Sequence, residues 1–203
     1  MAKPNVPGRI RADLPDMKLI AVLRNPVERA YSEYWYDRVR LQETVSFEQA
    51  IAEGHFLKRG NYAEQIGNVL ESFSRDQLLV LLLDDLKSDA LAIYQTCCEF
   101  LGVDKRWADR CMIPPLNLTR WRVNPLFSLV MHWPGVGRQL LRIRGFSKVV
   151  RLGPRRKFKR PPMSASAQSQ LVKYYRDSNR QVGEMIGREL GHWDAGLSVP
   201  SGR

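Results

Sequence analysis

The sequence predicts an α/β domain in which a parallel sheet is flanked by helices. Two short apolar runs, residues 18–23 and 78–83, are bounded by polar signals, as buried parallel strands are. Helical patterns follow each run, so the elements alternate in the order strand, helices, strand, helices. With 203 residues, 44% of them hydrophobic, the chain can bury one core, and we expect a single domain.

Rich in Pro, Gly and charge, residues 1–17 are predicted to form an irregular lead-in to a domain over 18–194, which a tail over 195–203 follows. After the first strand, Asn25 is a good N-cap, and Pro26 suits the first position of a helix that runs to about Arg40. Glu28 stands where a capping box has its acid.

Local signals also define the later elements. Ser46 and Gln49 form a second capping box, which opens a short helix that stops at Gly54. After the second strand, one helix is expected to run to about Leu101 and end at Gly102. The remaining predictions are an amphipathic helix over 61–73, a last helix over 164–186, and packing of Trp193 near the end of that helix.

Residues 18–32 contain the most informative pattern in the chain. Arg24 ends the first apolar run, and Ser32 lies on the second turn of the helix that follows. A cation at the carboxyl end of a strand, followed directly by a helix, is a common arrangement for binding phosphate. Arg24 can offer a planar fork to phosphate oxygens, and Ser32 can offer a hydroxyl. The alternative is a buried strand and helix with a solvated Arg24.

The segment from Arg24 to Ser32 also resembles the 3′-phosphate-binding motif of sulfotransferases that use 3′-phosphoadenosine 5′-phosphosulfate. The likeness is strongest to the carbohydrate and heparan-sulfate type and its bacterial relatives. Four further segments resemble the same family, in order and at fitting spacing: residues 59–65, 77–86, 98–103 and 187–193. Together they cover roughly residues 18–193.

The resemblance implies a sulfotransferase fold like that of P-loop nucleotide hydrolases, with 3′-phosphoadenosine 5′-phosphosulfate as co-substrate. It implies that Arg24 and Ser32 hold the 3′-phosphate. The loop with Lys159 and Arg160 stands where the family has a basic loop over the same phosphate, although the usual Lys-Gly pair is absent. Tyr62 matches a position close to the cleft, and a buried aromatic residue is the alternative for it.

One part of the family pattern does not occur in this sequence. The family's first strand–helix unit carries a Lys-rich, Gly-Thr or Gly-Ser loop around the 5′-phosphosulfate, usually with the catalytic base soon after. No such loop is present, and Met1 stands only seventeen residues before the first predicted strand. We therefore expect a fold that is incomplete at the N-terminus, with the base upstream of Met1. A truncated, non-catalytic domain that binds nucleotide or polyanion is the alternative.

Positive charge is concentrated in one segment. Residues 138–160 contain ten Lys or Arg and no Asp or Glu, while the whole chain has a formal charge of +11. Such a patch attracts polyanions, so nucleic acid, an anionic membrane surface, an acidic glycan or the charged end of the nucleotide co-substrate fits it, and a solvated basic loop is the alternative. The family resemblance implies a glycan, a lipid or a small molecule as the acceptor of the sulfuryl group. No specific nucleic-acid signature accompanies the patch. Residues 125–150 are apolar and basic, and either pack on the sheet or contact a membrane surface peripherally.

Cysteine and histidine patterns indicate neither a disulfide framework nor a metal centre. The three cysteines, two of them adjacent, have no zinc-like spacing to the three histidines, so no metal is expected. No signal peptide and no apolar stretch of membrane-spanning length is apparent. These observations predict reduced thiols and a cytoplasmic location.

Overall fold

A computed structural model describes residues 6–40, 45–106, 122–123, 156–157 and 160–195. Its helices are α1 (Val6–Asp13), α2 (Pro26–Arg40), α3 (Phe47–Ala52), α4 (Tyr62–Leu70), α5 (Leu83–Ser88), α6 (Ala90–Leu101) and α7 (Ala165–Ile186). Its strands are β1 (Leu19–Leu23), β2 (Leu78–Leu82), β3 (Arg122–Val123) and β4 (Arg156–Lys157). Short 3₁₀ turns occur at Lys58–Gly60, Arg75–Gln77 and Gly191–Trp193. Lys159 and the apolar-basic segment 125–150 lie outside the described residues.

β1 and β2 form the parallel pair that the two apolar runs predicted. The strands are in register from Leu19 opposite Leu78 to Leu23 opposite Leu82. Since the strands are parallel, their carboxyl ends meet at one edge of the sheet. Arg24 and Asp84 follow those ends and therefore lie at the same edge. The short strands β3 and β4 pair antiparallel.

Two groups of buried side chains pack beneath the carboxyl ends of β1 and β2 and around α2. The sheet core joins β1, β2, α4 and the end of α7, with Leu23, Ile66, Val182 and Trp193 among its members. The helix core joins α2, α3 and the start of α7, where Leu171 and Tyr175 are buried. At 22 residues, α7 is about 33 Å long and reaches both cores.

Two predictions about the elements were wrong. Part of the lead-in predicted to be irregular over 1–17 is the helix α1, because Pro7 suits a first helical turn and Ile10 packs on the sheet core. The single helix predicted after β2 is two helices. Asp89 leaves helical geometry, at φ −144° and ψ 87°, and its carboxylate instead accepts a hydrogen bond from the Ala92 amide to cap α6.

Four other predictions about helix ends are confirmed, whereas the helix predicted over 61–73 is shorter, as α4 ends at Leu70. Ser46 and Gln49 form the capping box of α3, and Gly102 ends α6 in the left-handed conformation at φ +79°. Ser164 caps α7, and Trp193 is buried near the end of that helix. None of the helices described is long and apolar enough to cross a membrane.

Two glycines test the packing with the same substitution and opposite expected signs. A Cβ at Gly67, inside α4, meets no atom within 4 Å, so Gly67→Ala should raise the free energy of unfolding by about 0.5–1 kcal/mol. A Cβ at Gly183 would lie 2.6 Å from the Arg188 carbonyl oxygen, so Gly183→Ala should lower it by about 1–3 kcal/mol. Urea denaturation of both variants measures the difference, and shifts of equal sign would contradict this description.

Candidate functional site

The junction of β1 and α2 is fixed by the buried side chain of Asn25. Its Oδ1 accepts hydrogen bonds from the Val27 amide at 2.9 Å and the Glu28 amide at 3.4 Å, which caps α2. Its Nδ2 donates to the Trp193 carbonyl at 3.3 Å. The amides of Val27 and Glu28 are therefore already bonded to Asn25. An anion at this edge of the sheet would be bound by side chains rather than by these two amides.

Arg24 emerges at this edge and is half-buried. Its Nη2 donates to Oε2 of Glu28 at 3.1 Å, so the predicted capping-box acid is a partner of Arg24. Its Nε is buried and has no hydrogen-bond partner within the described residues. An unpaired buried donor costs about 1–3 kcal/mol, and an anionic oxygen would satisfy it.

Ser32 extends the same face of α2. It lies four residues after Glu28, and residues four apart are neighbours on a helix surface. Ser32 is half-buried, and its hydroxyl has no hydrogen-bond partner in the part of the chain that the structure describes. Glu28 and Ser32 thus share one face of α2, and Arg24, which precedes the helix, contacts that face through its ion pair with Glu28.

Arg160, which is distant from α2 in sequence, contacts this helix at Tyr31. Its Cζ lies 5.1 Å from the centroid of the Tyr31 ring, a cation–π contact. The residue as a whole is exposed, yet loss of hydration at the guanidinium lowers the pKa of Arg160. The nearby Tyr31 opposes this effect, and the positive charge of Arg24 adds to it. Arg24 and Arg160 are thus two cations within electrostatic range of each other, an arrangement that suits an anionic ligand.

Tyr62 and Gly60 both lie against buried aromatic rings. The Tyr62 ring is buried in the sheet core, 6.3 Å from the ring of Trp193. Burial raises the pKa of Tyr62, against the opposing effect of Arg29 and Arg24. A Cβ on Gly60 would lie 2.7 Å from the Tyr175 ring, which accounts for this glycine. A ligand contact of Tyr62 stays a prediction.

Arg29 lies on α2, and its Nε, like that of Arg24, is buried without a hydrogen-bond partner within the described residues, but its two terminal nitrogens are both bonded. Its guanidinium bonds the Glu33 carboxylate and the Phe56 carbonyl, and Glu33 also pairs with Arg59. Arg29 therefore ties α2 to the turn that precedes α4. Arg29 and Ser32 are three residues apart on α2, and the guanidinium of Arg29 is engaged by Glu33 and Phe56.

Sequence reasoning missed the partner residues of this edge. The four-residue spacing of Arg24 and Glu28 could have revealed their ion pair, whereas nothing local links Tyr31 to residues 160–162. Asp84, after β2, accepts from Trp193 Nε1 at 3.3 Å and from Lys87 at 3.1 Å. Burial raises the pKa of Asp84, but these hydrogen bonds outweigh it and hold the pKa below its ordinary value.

Titratable groups elsewhere form no second centre in the described ranges. Cys97 and Cys98 are free thiols on α6. Both histidines are exposed. The Nε2 atom of His192 lies 3.7 Å from Oδ2 of Asp84, and Nε2 of His55 lies 3.9 Å from Oε2 of Glu53. No group of three or more His, Cys, Asp or Glu side chains is arranged to hold a metal ion among the residues described.

Comparison with known sequences finds one family. A family model described as the sulfotransferase domain matches residues 10–112, just over half of the chain. The mouse bifunctional heparan sulfate N-deacetylase/N-sulfotransferase 4 is 28% identical over 207 residues, covering 92% of this chain and 21% of that protein. The mouse heparan sulfate glucosamine 3-O-sulfotransferase 6 is 28% identical over 198 residues, covering 93% and 52%. The chain therefore spans between a fifth and a half of these relatives' lengths.

Among solved structures, a crystal structure of a sulfotransferase from Alicyclobacillus acidocaldarius resembles the chain. The TM-score is 0.60 at 21% sequence identity, and the match covers 94% of this chain and 62% of that one. The match shows that the two chains share a fold, an α/β arrangement with a parallel sheet, as the sequence predicted.

Proposed function

The chain belongs to the sulfotransferase family, and on that premise we propose that it takes part in transfer of a sulfuryl group from 3′-phosphoadenosine 5′-phosphosulfate to an acceptor hydroxyl or amine. In this reaction an acceptor oxygen or nitrogen forms a bond to sulfur while the bond from sulfur to the 5′-phosphate oxygen breaks. The acceptor proton passes to a base, and adenosine 3′,5′-bisphosphate leaves. We assign no base among the described residues.

The observation that carries the proposal is the buried, unpartnered Nε of Arg24 within the described residues, in the electrostatic range of Arg160. The Nε of Arg29 is unpartnered as well, but the terminal nitrogens of Arg29 are already bonded to Glu33 and Phe56. A phosphate monoester brings several acceptor oxygens and two negative charges, so it can engage both guanidiniums at once. Ser32 on the same face can add a hydroxyl. In our proposal the 3′-phosphate occupies this position, and the Arg24–Glu28 ion pair keeps the guanidinium in place before the nucleotide binds.

We propose a glycan as the acceptor. The relatives named above carry heparan sulfate in their names, one as an N-sulfotransferase and the other as a 3-O-sulfotransferase, so amines and hydroxyls both occur as acceptors among them. A formal charge of +11 favours an anionic glycan over a neutral one. The cytoplasmic location and a lipid acceptor stay predictions.

Calorimetric titration tests the phosphate site directly. Adenosine 3′,5′-bisphosphate should bind at least about tenfold more tightly than 5′-AMP, because a desolvated arginine is left unpaired by the nucleotide without the 3′-phosphate. Adenosine 2′,5′-bisphosphate is the matched control, since it has the same charge with one phosphate displaced. Equal affinity for the two bisphosphates would show that overall charge, rather than a defined site for the 3′-phosphate, governs binding. No binding of any of the three by a chain shown to be folded by circular dichroism would refute the site.

A further inference from the structure

Tyr31 connects α2 to the segment that carries Arg160. The residue is 6% exposed, and its hydroxyl lies 3.0 Å from the Pro161 carbonyl oxygen and 3.2 Å from that of Pro162. Burial raises the pKa of Tyr31, so the hydroxyl keeps its proton and donates hydrogen bonds to these carbonyls. Two successive prolines have fixed φ angles, so a hydroxyl that holds their carbonyls also fixes the direction of the chain at Arg160.

The same segment is held at its other end by the start of α7. Ser164 Oγ donates to Glu48 Oε1 at 2.7 Å and accepts from the Ala167 amide at 3.3 Å. Residues 160–164 are therefore attached to α2 through Tyr31 and to α3 through Glu48. The hydroxyl of Tyr31 is the described attachment nearer to Arg160.

Tyr31 contacts Arg160 in a second way, through its ring. The guanidinium lies 5.1 Å from the ring centroid, close enough for the quadrupole of the ring to stabilise a cation. This contact offsets part of the repulsion from Arg24 in the absence of a ligand. When an anion lies between the two guanidiniums, the arrangement that Tyr31 imposes becomes favourable.

We propose that Tyr31 is a positioning residue that sets Arg160 beside Arg24 and so determines selectivity for the 3′-phosphate. This inference rests on the proposed function. The competing role for Tyr31 is packing alone, since its ring also contacts those of Tyr34 and Phe47 in the helix core. The two roles differ in one respect: packing alone gives no reason for the hydroxyl to affect one nucleotide more than another.

Tyr31→Phe separates these roles, because it keeps the ring and removes the hydroxyl. We expect the affinity for adenosine 3′,5′-bisphosphate to fall about three- to tenfold, while the affinity for 5′-AMP stays unchanged. Tyr34→Phe is the matched control. It lies one turn along the same helix, and its hydroxyl bonds the Val45 carbonyl at 3.0 Å and Arg38 Nη1 at 2.8 Å rather than residues 160–162. It should leave the ratio of the two affinities unchanged.

A double variant shows whether Tyr31 acts through Arg160. In the Arg160→Ala background, Tyr31→Phe should cause no further loss of bisphosphate affinity, because coupled residues are not additive. The proposal would be overturned if Tyr31→Phe weakened the binding of both nucleotides equally or of neither. It would also be overturned if the losses of bisphosphate affinity in Tyr31→Phe and Arg160→Ala were additive in the double variant.

A measurement without nucleotide keeps this inference separate from the proposed function. Phenylglyoxal modifies accessible arginines, and peptide mass spectrometry gives the rate at Arg160. The rate should rise in Tyr31→Phe and not in Tyr34→Phe. If the unmodified chain fails to distinguish the nucleotides, the proposed function fails, and the labelling rates still decide whether Tyr31 holds Arg160. Equal rates in both variants would show that it does not.

Discussion

Replacing Trp193 by alanine is expected to lower the free energy of unfolding by about 3–5 kcal/mol, the range for large aromatic residues in a core. Its side chain is 1% exposed and packs with Tyr62 and Val182 in the sheet core. Its Nε1 donates to Asp84, and its backbone carbonyl accepts from Asn25. The substitution therefore opens a cavity and leaves the Asp84 carboxylate with one donor fewer.

Urea denaturation followed by far-ultraviolet circular dichroism measures this loss without relying on tryptophan fluorescence. Tyr174→Ala is the control, because Tyr174 is 48% exposed on α7 and its loss should cost about 1 kcal/mol or less. Trp193→Phe keeps most of the ring and removes the Nε1 donor, so its stability should fall between those of the other two. A Trp193→Ala chain as stable as Tyr174→Ala would contradict the burial of Trp193.

Arg24→Ala should weaken binding of adenosine 3′,5′-bisphosphate by about 1.5–3 kcal/mol, roughly ten- to hundredfold in Kd. Its guanidinium is the group that carries the unpartnered Nε described above, so removing it deletes hydrogen bonds to a charged ligand. Arg24→Lys keeps the charge but loses the planar fork, and an intermediate loss is expected. Binding of 5′-AMP should change little in either variant.

Calorimetry of matched variants checks the assignment of Arg24. Arg106→Ala removes the same charge from an 84% exposed side chain paired with Asp104, next to the end of α6. Its affinity for the bisphosphate should equal that of the unmodified chain. If Arg24→Ala and Arg106→Ala weaken binding equally, net charge rather than a defined site governs the interaction.

Much of the fold follows from local signals. Asn25, Ser46 and Gly102 mark helix ends through hydrogen bonds and backbone angles that depend on a few neighbouring residues, and the structure confirms all three. The break at Asp89 carried a local signal as well, an acidic N-cap, but the surrounding helical pattern concealed it. The helix α1 gains stability by packing Ile10 on the sheet core, a contact between distant parts of the chain.

The candidate site divides in the same way. Arg24 and Ser32 could be placed from their spacing around a strand end and a helix start, and their role in binding stays a prediction. The approach of Arg160 to Tyr31 depends on contacts across about 130 residues of sequence, which no local pattern contains. The sequence did not decide whether Tyr62 packs in the core or contacts a ligand, because a buried aromatic residue and one at a cleft have the same local pattern.

The position of α7 along the chain also affects how the protein is made. The helix core needs its Leu171 and Tyr175, and the sheet core needs its Val182. Residue 186, the end of α7, is synthesised 85 residues after residue 101, the end of α6. At about 5–20 residues per second, translation of that interval takes roughly 4–17 s. During that time both cores lack the apolar side chains of α7. The nascent chain therefore exposes apolar surface of the kind that chaperones bind.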